Sequence, residues 1–195
     1  MKRELHVRIC EGLAGRFRWA TRLVICCRGT AEQAMVAMRD MMAKLKLAVN
    51  ETKTHVCRIP DESFDFLGYT FGRCYSPQTG RAYIGTVPSK SRIARICEAI
   101  SEMTGREKTY LDAETLVGGL NRRLVGWANY FCLGPVSKAY RALDQHARKR
   151  LRQWLCTKHK VSWPGTKRFP EASLYNKLGL VCLPGQTTNL PWAKA

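Results

Sequence analysis

LNRRLVGWANYF at residues 120–131, followed by VSKAYRALDQHARKRLRQWLCTKHK at residues 136–160, decides how the chain folds. Read as a helix, the first stretch and the turn before it put Leu116, Leu120, Leu124, Trp127, Ala128 and Phe131 on one face. Asn121, Arg122 and Arg123 turn elsewhere. The second stretch gathers Tyr140, Leu143, Ala147, Leu151, Trp154 and Leu155 into one apolar arc, with Arg141, Arg148, Lys149 and Arg152 on roughly the opposite side. Such a helix buries one face and holds a row of cations in water, a surface suited to a polyanion. Lying off the apolar arc, Arg148, Lys149 and Arg152 are expected to be replaceable without unfolding the helix.

The charge of the whole chain points the same way. Its 33 Lys and Arg against 15 Asp and Glu leave +18 on 195 residues. Half of that excess lies between Lys138 and Arg168, where ten basic residues face one acid, Asp144. This balance favours nucleic acid or an acidic membrane surface as partner and says nothing about fold. A hydrophobic content of 45% is that of a folded protein with one good core or two small ones. No run approaches the roughly 18 apolar residues of a membrane span, and MKRELHVRIC at the start lacks the apolar core of a secretory signal. The nine cysteines are odd in number and form no CxxC pair, as expected of reduced thiols in the cytoplasm or an organellar matrix. The sequon Asn50, Glu51, Thr52 then has no expected glycan.

Residues 1–18 carry no clear period. LVICC at residues 23–27 reads as a short buried strand, and Thr30 to Gln33 fit a capping box that opens a helix to about residue 47. Its stripe of Ala34, Met35, Met38, Met42 and Leu45 suits packing on a sheet. Two strands are expected at residues 54–59 and 64–71, the second carrying Gly68 as a mid-strand bulge or close approach. A turn at residues 76–80 returns a partner strand at 81–87. From Lys90 the period becomes 3.6, which sets a domain boundary near Pro88. Ile93, Ile96, Cys97, Ile100 and Met103 form a helical stripe behind Ser89 or Ser91, Asp112 caps the helix through residues 116–131, and Gly134 and Pro135 separate it from the basic helix. The fold class is α+β: a sheet with one packing helix, then an all-α three-helix bundle. Past Val161 the chain is punctuated by Pro and Gly, with one amphipathic patch at Leu174, Tyr175 and Leu178.

FDFLGYTF (64–71), VPSKSRI (87–93), LNRRLVGWANYF, AYRALDQHARKRLRQWLCTKHK (139–160) and LYNKLGL (174–180), in that order, resemble the C-terminal part of group II intron reverse transcriptase/maturases. The similarity covers roughly residues 17–183, and several motifs in order are far more specific than any one. It implies a truncated, degenerate reverse-transcriptase palm remnant over residues 1–88, the maturase-specific thumb (domain X) over 89–160, and a C-terminal extension over 161–195. It implies structured intron RNA as the partner, held on the basic thumb so that the intron reaches its splicing-competent form. With the charge pattern, it selects Arg122, Arg123, Lys138, Arg141, Arg148, Lys149, Arg150, Arg152, Lys158 and Lys160 for phosphate contact, and Asn129 and Tyr130 for contacts that depend on RNA shape. NETKT (50–54) looks like the palm motif whose lysine, here Lys53, lies near the nucleotide phosphates. Phe66, Leu67, Gly68 and Tyr69 look like the loop that grips the primer.

The departures from the family carry as much weight. Its Tyr-Ala-Asp-Asp should precede LVICC, where this chain has Trp19, Ala20, Thr21 and Arg22. Two-metal nucleotidyl transfer needs hard carboxylate oxygens to hold Mg²⁺. Arg22 in that place sets cation against cation, a repulsion on the order of several kcal/mol at an effective dielectric of about 20. The expectation is therefore an RNA-binding maturase-type module of a mobile element that assists group II intron splicing. It has no catalytic residues, no cofactor, no membrane and no small-molecule substrate, and Mg²⁺ enters only if another chain completes the site. Two rival readings are the C-terminal half of a split RNA-directed DNA polymerase, partnered by an upstream polypeptide carrying fingers and palm, and a non-functional remnant. Cys156 and His159 stand three apart, but Cys182 and His146 are at unsuitable spacing to complete four zinc ligands, so no metal site is expected. His6, His55, His146 and His159 read as packed or surface histidines.

Overall fold

The computed structural model describes residues 5–10, 23–27, 30–76 and 78–186. The chain divides into two compact units, Met1–Thr86 and Val87–Ala195. Trp19, Ala20, Thr21 and Arg22, the residues set against the family's aspartate motif, lie outside the described residues.

In the first unit LHVRIC alternates apolar and polar residues, the period of a strand, and forms β1 (Leu5–Cys10). An element thus stands within the stretch where no period was expected. It is the centre of an antiparallel sheet ordered β2-β1-β3, with Val7 opposite Cys26 of β2 (Leu23–Cys27) and Cys57 of β3 (His55–Ile59). Between β2 and β3 runs α1 (Ala31–Lys44), capped by Thr30, whose hydroxyl accepts from Gln33 N at 3.4 Å. It buries Met38 and exposes Val36 and Met41. In β3 the side chains alternate, Cys57 and Ile59 buried and Val56 and Arg58 exposed, and Val24 and Phe64 pack on the buried pair.

Residues 64–71, expected as one strand, are two. β4 (Phe64–Phe66) pairs antiparallel with β5 (Tyr69–Tyr75), Phe66 opposite Tyr69, around a two-residue turn of Leu67 and Gly68. Their φ values of 51° and 87° are both positive, as in a type I′ turn, whose twist matches that of the strands it joins. Glycine accepts this conformation freely, whereas Leu67 is strained in it. Phe64 and Phe71, opposite one another, stack at 5.1 Å. β6 (Ala82–Pro88) is the hydrogen-bonded neighbour of β5.

The second unit begins with α2 (Lys90–Met103), α3 (Ala113–Tyr130) and α4 (Ser137–Lys158). Ser89 is the N-cap of α2, and Asp112 caps α3 by accepting from Thr115 N at 2.8 Å. The backbone and side-chain hydrogen bonds from Thr115 hold the Asp112 carboxyl below the usual range. The arcs drawn from helical spacing are the buried ones: Leu120, Leu124, Tyr140, Leu143, Leu151 and Trp154 meet Ile96 and Ile100 of α2 in one core. That core does not stop at residue 160. Leu174 in a π-helical turn (Ser173–Lys177), Leu180, and Leu183 of α5 (Leu183–Gln186) are buried in it, so residues expected as an extension help enclose the bundle. Asn121, on the flank of α3, pins them: its Nδ2 donates to Gly179 O at 2.8 Å and its Oδ1 accepts from Val181 N at 2.9 Å.

Candidate nucleic-acid interface

α3 and α4 are locked at their junction by Tyr140, fully buried, whose hydroxyl donates to Ala128 O at 2.8 Å and lies 3.2 Å from Phe131 O. Carbonyls in the last turn of a helix lack intrahelical partners, and the Tyr140 hydroxyl serves them here. The same contact sets Asn129 and Tyr130, exposed on the last turn of α3, close to the first turn of α4.

The twelve residues expected at the RNA surface fall into two groups. Lys138, Arg141 and Lys149 are exposed on α4. At 100° per residue they lie within about 80° of one another, and eleven residues of helix spread them over about 16 Å. The only acid on α4, Asp144, faces the core. Arg122 and Arg123 on α3 and Lys160 just past α4 are exposed as well. The positive end of the α4 dipole adds a favourable field for anions near Lys138.

The second group is spent on structure. Arg148 is half-buried, with Nε 3.2 Å from Asp144 Oδ2 as a charge contact outside hydrogen-bond geometry, and Nη1 on Glu171. Asp144 also accepts from Tyr175 Oη at 2.6 Å and from Leu183 N at 3.3 Å, which ties α4 to the tail. Burial, and then this carboxylate, push the Tyr175 hydroxyl above its usual range. Arg152 donates from Nε to Phe169 O at 3.0 Å. Arg150 reaches back to the end of α2, donating to Thr104 Oγ1 at 3.0 Å and to the carbonyls of Ser101 and Thr104 at 2.9 and 3.2 Å. Lys158 donates to the carbonyls of Thr109 and Leu111 and covers the Trp154 ring at 5.2 Å. The idea that Arg148 and Arg152 can be exchanged freely is therefore corrected; only Lys149 of that trio is exposed. Periodicity misses this because long cationic stems carry their donors to carbonyls on other segments.

Among the remaining sequence candidates, Lys53 ends a 3₁₀ turn (Glu51–Lys53), and Phe66, Leu67, Gly68 and Tyr69 form the β4–β5 turn with its flanking pair. His146 sits between helices, Nε2 at 3.0 Å from both Cys97 O and Ser101 Oγ. A carbonyl only accepts, so Nε2 carries the proton. Burial, together with the charges of Arg150 and Lys149, lowers the imidazole below its usual pKa against the opposing effect of the Cys97 carbonyl. His159 packs its ring on Phe169 at 5.7 Å, and Cys156 is buried. Among the described residues no three His, Cys, Asp or Glu side chains gather to hold a metal ion. Arg106 and Trp163, both exposed, were not expected at the surface of interest, since they stand in connections without a period.

No helix among the described residues is long and apolar enough to cross a membrane. No curated protein matches the chain. Residues 93–169 match the family model described as "Group II intron, maturase-specific domain". The match runs from the second turn of α2, through α3 and all of α4, to the Phe169 carbonyl that Arg152 holds. Over these residues the chain is similar to the maturase-specific domain of group II introns, which supports its resemblance to the C-terminal part of group II intron maturases.

Proposed function

We propose that the chain binds group II intron RNA through the outward row of α4 and assists splicing of that intron. The observation that carries this reading is the exposed trio Lys138, Arg141 and Lys149 inside the matched segment, on a helix whose sole acid faces the core. Phosphates bind such a row with release of counterions, independently of base identity. Arg122, Arg123, Asn129 and Tyr130 on α3 extend the contact, and folded RNA is read by shape. Residues 89–160 are then the thumb of a right-hand polymerase and the first unit its palm remnant.

We further propose that the chain alone does not polymerise, because Thr21 and Arg22 stand where metal-binding aspartates are needed. The rival reading, a polymerase half completed by a second polypeptide, rests on the resemblance of residues 66–69, which form the β4–β5 turn and its flanking pair, to the primer-gripping loop. Two assays separate the readings. Adding the full chain to a transcript of its flanking intron should raise the splicing rate, and primer, RNA template, deoxynucleotides and Mg²⁺ should yield no extension. Splicing unchanged by the protein contradicts the maturase reading, and extension by the chain alone contradicts the missing active site.

A further inference from the structure

A cleft of about 600 Å³ opens in the second unit where the end of α2 meets the last turns of α4 and the segment after it. That volume lies within the roughly 300–1,000 Å³ of small-ligand sites. Three cations line it, Arg106, Arg150 and Lys160, together with two tryptophans, Trp154 and Trp163, and no carboxylate is among its lining residues. Glu107 lies at the rim against Gly105. Arg150 is half-buried and caps the carbonyl end of α2 with its hydrogen bonds, so it contributes to the cleft wall while Arg106 and Lys160 are the exposed cations. Trp154 is 1% exposed and forms the floor side, whereas Trp163 is 50% exposed.

The backbone fixes the position of Lys160. α4 ends in a Schellman motif, Val161 N donating to Cys156 O at 2.9 Å and Lys160 N to Thr157 O at 3.4 Å. The left-handed residue of that motif is ordinarily glycine, yet Lys160 occupies it at φ 53°. Lys46 holds the same left-handed place at the end of α1, at φ 55°, so the conformation is that of a helix end; at the end of α4 it sets Lys160 on the lip of the cleft.

We propose that this cleft takes one unpaired nucleotide of the bound RNA, its base stacked on Trp163 and its phosphate on Arg106 and Lys160. The proposal rests on the RNA-binding reading above and adds a separate site to it. Cations paired with an exposed aromatic ring suit a nucleotide, since every base has a stacking surface and every nucleotide a phosphate anion. A tethered nucleotide fits better than a free one because the cleft adjoins the α4 row: Gln153, in its lining, lies about 40° from Lys149 on the helical wheel and one turn further along α4.

The test uses the full chain with two RNA probes, a perfect duplex and the same duplex with a single-nucleotide bulge. The bulged probe should bind at least about fivefold tighter, the low end for one base–aromatic stack. Trp163→Ala should remove that preference and Trp163→Tyr should keep it. Lys160→Gly should reduce it without endangering the fold, because glycine suits the backbone there. Changing Lys138, Arg141 and Lys149 to Gln should weaken both probes equally and leave the preference intact. Equal affinity for the two probes in the unmodified chain, or a preference that survives Trp163→Ala, overturns the cleft assignment while the maturase reading stands. Quenching of tryptophan fluorescence by AMP, with no preference for the bulge, assigns the cleft to free nucleotides and also overturns it. Failure to bind either probe removes both readings.

Discussion

Arg148 and Lys149 differ by 100° of helix and end in opposite environments, one against a buried carboxylate and the other in water. A carboxylate as buried as Asp144 is tolerable only while its partners remain. Arg148→Gln should therefore cost about 1–3 kcal/mol of unfolding free energy, whereas Lys149→Gln should stay within about 0.5 kcal/mol of the parent. Urea titrations of the two variants check this, and equal midpoints would show that the pairing contributes nothing. His146 supplies a pH dependence. Its pKa is depressed in the fold, so between the folded value and the ordinary value near 6.5 the unfolded chain binds more protons. Its contribution is complete above about pH 6.5 and declines as pH falls toward the folded pKa. Replacing His146 with Asn should flatten that part of the stability profile between pH 7.5 and 5, measured as urea midpoints.

At the scale of elements, the helices were legible because their signals are local: apolar spacing, the Thr30 and Asp112 caps, and Gly134 and Pro135 between α3 and α4. Three features were not. β1 shows its alternation in LHVRIC, but a strand of six residues beside an unpatterned stretch gives a weak signal, and its pairing with β3 spans some fifty residues of sequence. The β4–β5 turn was hidden because Leu67 replaces the Asn, Asp or Gly that usually opens a type I′ turn. The tail showed only the patch at Leu174, Tyr175 and Leu178; its docking on the bundle was hidden because the segment around Leu180 and Leu183 is held by long-range bonds from Asn121 and Asp144 and not by a period of its own. Since Leu183 is fully buried in the helical core, Leu183→Ala should cost about 2–5 kcal/mol, as for other buried leucines. A loss under about 0.5 kcal/mol in thermal or urea unfolding would mean that the tail is dispensable to the bundle.

For the whole molecule, the +18 charge announced a polyanionic partner before any element was known, yet it could not say which cations face outward. Of ten basic residues expected to touch phosphate, four are committed to holding helices and tail together, and the outward set reduces to Arg122, Arg123, Lys138, Arg141, Lys149 and Lys160. The proposed binding through that set is electrostatic, so its salt dependence would count the phosphates engaged. The decisive measurement is the slope of log K against log salt for the full chain on intron RNA, compared with the variant carrying Gln at positions 138, 141 and 149. The slope should become shallower by about 2–3 with the urea midpoint unchanged, since each phosphate contact contributes about 0.7–0.9. An identical slope in the two proteins, at equal stability, would contradict the assignment of α4 as the RNA-binding face.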